Sequence, residues 1–246
     1  MVLVAVLWTM VLLAMLAAAL VTMSRSDARN ISLDQDQLQA REAIQAGINL
    51  TVVALTDSGQ RWPTDGTPQT VTFGKVPLAV AITSEGGKID LNNANPDLIR
   101  GLLSAVGEGP GAADEITNEI VAHRENGGFT ELAELLPLPG VSGELYDRLA
   151  PNLTLYSGSS TVDASSAPFE VLLAIPGNTR ADAEAEIARR ASPGNSRDAG
   201  SRAVMAGQVY TITAALAGSG AGRLSKTEIV RLTGDARKPM FVLRLD

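Results

Sequence analysis

The chain predicts an α+β fold: a long N-terminal helix, an antiparallel sheet, and a small all-α domain inserted into the sheet region. Three observations carry this expectation. The first 23 residues are apolar and run on into a helical stripe. Residues 76–91 and 208–245 alternate with the two-residue period of half-buried strands. Between them, residues 92–156 switch to short helical patterns broken by glycine and proline. The expected division is a transmembrane segment (1–23), an amphipathic continuation of the same helix (24–58), a first β part (59–91), the inserted helical domain (92–158), and a second α/β part with C-terminal strands (159–246).

Residues 2–23 hold no charge. As a helix rising about 1.5 Å per residue they span roughly 33 Å, enough for a bilayer core of about 30 Å. A cleavable signal peptide has a basic start and a shorter apolar run. Here the nearest basic residues, Arg25 and Arg29, follow the run, with Asp27 between them. The positive-inside rule places such residues on the cytoplasmic side, which points the body inwards. Loss of a short basic leader, with Met1 starting the mature chain, would remove that implication.

Helical periodicity continues beyond Ser24. Ile44, Ile48, Val52 and Leu55 form one stripe, with Gln35, Asp36, Gln39 and Arg41 on its wet side. One helix is expected from about residue 3 to about residue 57, stopped by Asp57-Ser58-Gly59. Val76, Leu78, Val80 and Ile82 then mark a strand, Glu85 to Lys88 a turn, and Lys88 to Leu91 a return strand. Asn95 caps a helix that starts at Pro96. Further helices are expected at 112–124, 130–136 and 143–149. Three strands close the chain at 208–216, 227–232 and 240–245, with turns at 218–222 and 234–235.

A faint internal repeat runs through the middle. Asn93-Ala94-Asn95-Pro96 leads into Leu98-Ile99, Gly107 and a helix ending at His123-Arg124. Ser165-Ser166-Ala167-Pro168 leads into Val171-Leu172, Gly177 and a helix ending at Arg189-Arg190. A duplication produces this pattern, and so does a shared way of capping a helix.

Composition excludes several functions. There is no cysteine, so neither a disulfide scaffold nor a thiolate metal site is available. A net charge of −7 argues against broad nucleic-acid binding. Pro139-Gly140-Val141-Ser142-Gly143 joins two helical patterns in the manner of a helix-hairpin-helix, whose amides can hold a phosphate. Yet residues 92–156 carry ten acids (Asp97, Glu108, Asp114, Glu115, Glu119, Glu125, Glu131, Glu134, Glu144 and Asp147) against three bases (Arg100, Arg124 and Arg148), a balance of 3 − 10 = −7. A phosphate binder carries the opposite sign.

Catalytic signatures are lacking. His123, the one histidine, has no partner motif and is expected on a helix surface. No nucleophile elbow, Walker loop or zinc-protease motif occurs. The glycine-rich stretches 107–111 and 218–222 read as loops. Asp114 with Glu115, and Asp182 with Glu184 and Glu186, are the densest carboxylates, and neighbours along a helix do not face one another. No catalytic residue and no cofactor are expected.

The order of parts resembles the K-type minor pseudopilins of type II secretion systems, the general secretion pathway protein K family. The resemblance runs along most of the chain: the apolar N-terminus, Gly87 to Ala94 (Gly-Lys-Ile-Asp-Leu-Asn-Asn-Ala), Phe129 to Leu136 with Leu138 to Val141, Leu149 to Gly158, and Ala167-Pro168 with Val171-Leu172. It implies a filament-forming N-terminal helix, a pilin-like sheet and a helix-hairpin-helix or SAM-like insertion, here in a short version. It implies a leader cut by a prepilin peptidase, methylation at Met1, and a single-pass inner-membrane protein anchored through residues 2–23 with its body in the periplasm. It implies a place at the pseudopilus tip with other minor pseudopilins, near the major pseudopilin, secreted substrates and the secretin. Shaft pseudopilins carry a glutamate at mature position five; Ala5 stands there, as in K-type members. A buried carboxylate needs a cationic partner, and a subunit with no layer above it meets none. Calcium is the one metal the resemblance raises. The corresponding turn, Arg124-Glu125-Asn126-Gly127-Gly128, is short and nearly free of acids, which argues against it. The alternative from another class is a membrane-anchored helix-hairpin-helix DNA receptor of the competence type.

Overall fold

A computed structural model describes residues 2–56, 62–74, 76–191, 207–217, 224–235 and 237–245. Within the first helix, side chains are described for residues 7, 8, 10–16, 35 and 37–55. The expected helix stop at 57–59 and the expected turn at 218–222 lie outside these residues.

Helix α1 (Val2–Thr56) is followed by strands β1 (Gln69–Phe73) and β2 (Val76–Ser84). Short β3 (Ile89–Asp90) leads into helices α2 (Pro96–Ala105), α3 (Pro110–Glu125) and α4 (Gly143–Leu149). Then come β4 (Leu153–Thr154), α5 (Phe169–Ala174), α6 (Arg180–Ala191), β5 (Val209–Leu216), β6 (Ser225–Leu232) and β7 (Met240–Leu245).

The main sheet has the order β1-β2-β5-β6-β7, antiparallel throughout. Everything between β2 and β5 is an insertion, since β5 returns to pair directly with β2, Leu78 opposite Leu216 and Ile82 opposite Ile212. Alternation puts Leu78, Val80, Ile82, Ile212, Ala214, Val230 and Leu232 on one face. The stripe of α1 read from the sequence, Ile44, Ile48, Val52 and Leu55, covers that face. Ile48 and Val52 are buried, as apolar residues facing a sheet must be to repay the ordering of the helix.

The second core belongs to the insertion. Ile89, Leu91, Leu98, Ile99, Leu102, Leu103, Ile116, Ile120, Phe129, Leu135, Leu145, Leu149 and Leu153 are buried together. Ala167, Val171, Leu172, Ala174 and Ala183 join the same cluster. Helices α5 and α6, assigned from the sequence to the second part of the sheet region, therefore pack into the helical layer beyond residue 158. Their small apolar residues complete the core that α2 leaves open. α2 and α5 touch through Gly101: a Cβ there would lie 2.3 Å from the Ala174 carbonyl oxygen.

Local differences have clear causes. The expected return strand 88–91 is only Ile89–Asp90, and it pairs parallel with β4 rather than back onto β2. Residues Glu85–Gly87 form a 3-10 turn that carries the chain out of the main sheet. β1 escapes the alternation pattern because its threonines and glutamine lie at an exposed edge. The expected helix at 130–136 is a 3-10 turn, Leu132–Leu135, in which Glu131 and Glu134 form a reciprocal capping box.

Candidate functional site

The surface that the insertion presents is built on a buried knot. Asp90 is 1 % exposed. Its Oδ1 accepts from the amides of Asn92 (2.9 Å) and Asn93 (3.0 Å) and from Asn93 Nδ2 (3.0 Å). Its Oδ2 accepts from Ser157 Oγ (3.1 Å) and the Gly158 amide (2.8 Å). Asn92 exchanges two bonds with the Phe129 backbone, Nδ2 to O at 2.9 Å and Oδ1 from N at 2.8 Å. Arg124, at the end of α3, donates to the carbonyls of Leu91, Ala94 (2.8 Å) and Asp90 (3.4 Å). Burial pushes its guanidinium pKa down, with Asp90 opposing. Residues 90–94 thus tie α3, the 129 turn and the 157–158 turn together. The sequence marks this stretch by its asparagines but gives no sign of its partners.

The faint repeat takes physical form here. Asp163 Oδ1 accepts from the Ser165 amide at 3.0 Å, as Asp90 does from Asn92. Arg190 then donates to the Ala164 and Ala167 carbonyls, at the same offsets from Asp163 that Leu91 and Ala94 have from Asp90. A shared cap explains the turns. The likeness extends to an arginine reaching back across 33 residues in one half and 26 in the other.

Outward, the layer is acidic. Glu115, Glu119 and Glu125 on α3, and Glu144 and Asp147 on α4, are exposed. The three arginines of residues 92–156 are all engaged. Arg100 bonds Asp114 (2.5 Å) and Asp97 (2.6 Å), which raise its pKa in that order of strength. Arg124 is spent on the knot. Arg148 donates to the Val106 carbonyl and reaches Glu108 at 3.3 Å. The hairpin residues 139–143 form a tight connection. Gly140 holds φ at +84°, and Ser142 caps α4 by accepting from the Leu145 amide at 3.1 Å. The Val141 amide is bonded to the Leu138 carbonyl at 3.1 Å, and the arginines of this layer are already engaged, which disfavours a phosphate there.

His123 is not the bare surface residue expected from the sequence. Its ring lies 4.3 Å from that of Phe129, and Nε2 sits 3.1 Å from Glu134 Oε2. Glu134 also accepts from Thr130, and these bonds, Thr130 first and His123 second, hold its carboxyl below the usual range. The two carboxylate groups singled out in the sequence disperse. Asp114 faces Arg100, and Asp182 caps α6 by accepting from Thr179, whose hydroxyl is the main reason its pKa falls. Glu184 lies 3.7 Å from Arg180, and Glu186 pairs with Arg189 and Arg190. Among the described residues no three histidine, aspartate or glutamate side chains converge to hold a metal. In the turn 124–128, Arg124 points inward and Asn126 Nδ2 bonds the Ala122 carbonyl at 2.9 Å, leaving Glu125 as the one carboxylate. That donor set does not fit calcium.

Met1 lies outside the described residues. Ala5 lies within α1, its side chain outside those described, as are many of residues 2–23. Among the described residues no helix is long and apolar enough to cross a membrane. Leu7, Trp8, Met10, Leu12, Leu13, Met15 and Leu16 are all exposed.

No family model and no curated protein matches the chain. Among solved structures, the chain is similar in fold to one chain of the GspK-GspI-GspJ complex of the enterotoxigenic Escherichia coli type 2 secretion system. The TM-score is 0.57 at 11% sequence identity, over 88% of this chain and 98% of the other. The protein thus has an α+β pseudopilin-like fold, with an antiparallel sheet and several helices.

Proposed function

We propose that this chain is a K-type minor pseudopilin acting at the tip of a type II secretion pseudopilus, and that it works by assembly and contact rather than catalysis. The observation that carries this reading is the fold similarity along 88% of the chain to a member of a three-pseudopilin complex. The large helical insertion between β2 and β5, with its acidic outer surface, supports a subunit that caps rather than continues a shaft. The exposed apolar residues Leu7 to Leu16 supply the surface by which α1 would sit in the inner membrane before assembly and against neighbouring pseudopilin helices after it.

In this reading the body lies in the periplasm, Met1 is the processed and methylated residue, and Ala5 stands where shaft subunits carry a glutamate. The partners are the other minor pseudopilins, with the major pseudopilin below and secreted substrates and the secretin above. No enzyme activity, cofactor or nucleic acid belongs to this role. Co-purification from membranes with the other minor pseudopilins is the test. A chain that never associates with them, under conditions where they associate with one another, sinks the proposal.

A further inference from the structure

The main sheet leaves β7 at its edge, and that edge differs from its opposite. β1 is a five-residue strand without a charge. β7 exposes three consecutive apolar side chains, Phe241 at 49 %, Val242 at 44 % and Leu243 at 39 %. Open edges of this kind are templates for strand pairing unless they are shortened, charged or covered. The cations near β7 stand at its ends, so the apolar middle stays open. Lys238 lies 4.0 Å over the Phe241 ring, ahead of the strand, and Arg237 beside it is exposed.

Register assigns the two faces of this edge. Leu232 pairs with Met240 and Val230 with Val242, so these β7 residues share the face that α1 covers. Arg231 pairs with Phe241 and Ile229 with Arg244, placing both on the face towards the helical layer. On that side a groove of about 320 Å³ opens between sheet and helices; Tyr146, Tyr156 and Arg244 line its wall, with Glu85, Lys88 and Glu131 on the helical side. The edge is therefore apolar along one face, and on the other its own strands carry Arg231 and Arg244 beside aromatic walls. Arg231, Arg237, Lys238 and Arg244 outnumber Asp235 and Asp246 in the sequence around it, in a chain whose net charge is −7.

We propose that β7 receives an extended segment of a different protein, added antiparallel or parallel as a sixth strand, in which apolar residues alternate with carboxylates. Main-chain bonds to the open edge supply the affinity. The apolar residues extend the Met240–Val242 row, and the carboxylates meet Arg231, Arg244 and the Arg237–Lys238 pair. The charge pattern selects this occupant over a second copy of the chain, because two copies bring the same cations to one edge and each carries −7. The inference stands apart from the tip assignment, since it needs only the edge and its charge.

The test uses the full chain in dodecyl maltoside micelles and a fluorescein-labelled peptide, acetyl-Val-Glu-Val-Glu-Val-Glu-Val-amide, with its lysine-for-glutamate counterpart. Saturable, salt-sensitive binding of the acidic peptide alone is expected, with slowed amide exchange across 240–245 and none at β1. The double change Arg237→Glu with Lys238→Glu should weaken binding about fivefold without lowering the melting temperature. The exchange map of the unaltered chain stands even if that variant folds poorly. No binding at millimolar peptide, equal binding of the lysine peptide, protection elsewhere than β7, or a homodimer that joins through β7 each overturns the proposal.

Discussion

Two charged side chains show how much of this protein rests on single buried contacts. Arg124 donates to the Leu91 and Ala94 carbonyls, and at 3.4 Å to that of Asp90, which the Asn93 and Ala94 amides also reach, so Arg124→Met should cost about 2–3 kcal/mol, chiefly by leaving the first two without this donor. Urea denaturation of the two proteins in the same detergent measures this, and a loss below about 0.5 kcal/mol contradicts the role of the knot. Glu228 is 2 % exposed on the face of β6 that α1 covers. Lys226 Nζ holds its Oε1 at 2.8 Å and also reaches Gln45 on α1, while Oε2 has no partner among the described residues. Lys226→Met should therefore cost about 3 kcal/mol, because it strands a buried carboxylate. Adding Glu228→Leu should restore most of that loss, since an apolar pair can replace a buried ion pair. A double variant no more stable than Lys226→Met refutes the reading.

Tyr210 gives the alkaline limit. Burial pushes its hydroxyl up from 10.0 to about 12, with Asp163 adding to the shift. The folded state holds the proton over a range where the unfolded chain releases it. This stabilisation is thus complete below pH 10 and is lost as the pH rises towards 12. Tyr210→Phe should flatten that limb of a stability profile, and an unchanged slope between pH 10 and 12 speaks against it.

Among the secondary-structure elements, the helix pair α2 and α5 is the most exacting contact. Gly101 lets α2 approach until its missing Cβ would sit 2.3 Å from the Ala174 oxygen and 2.8 Å from its Cα. Both are backbone atoms, so no rotamer change relieves the overlap. Gly101→Ala should cost about 2–3 kcal/mol, against the small gain alanine gives an open helix. Thermal melts of the two proteins check it, and a stabilised variant means that the helices do not meet in this way.

The same elements show where sequence patterning informs and where it fails. The stripe Ile44, Ile48, Val52 and Leu55 and the alternation from Val76 to Ile82 were legible because each buries one face against one neighbour. β1 was not, since Gln69, Thr70 and Thr72 sit on an exposed edge and need no apolar alternation. The parallel pairing of β3 with β4 joins residues more than sixty positions apart, and local periodicity holds no trace of that. Asp90 and Arg124 were visible as residue types in a marker motif and in an acidic module. Their meeting, like that of Arg190 with residues 164 and 167, depends on how the helices stack.

Across the molecule, polar contacts join the two cores. Glu85, 2 % exposed, accepts from Lys88 Nζ (2.7 Å) and from Thr211 Oγ1 (2.7 Å), pinning the start of the insertion to β5. Arg231 Nη2 reaches the Tyr156 carbonyl at 3.4 Å from the sheet side. The sheet with α1 forms the assembly half in the proposed role, and the insertion forms the exposed half. Its acidic outer surface was readable from the count of ten acids to three bases. The pairing of all three arginines, which turns that count into a surface without open cations, was not. Calcium titration of the whole chain should leave its melting temperature unchanged at millimolar metal; a rise of several degrees would falsify the reading of the turn 124–128.

The central claim is that this chain joins other minor pseudopilins at a filament tip. The most direct measurement is immunogold labelling of the chain on pseudopili assembled in cells that overproduce the major pseudopilin. The account predicts label at one end of each filament, together with the other minor pseudopilins. Label spread along the shaft, or absent from filaments that form normally, contradicts it.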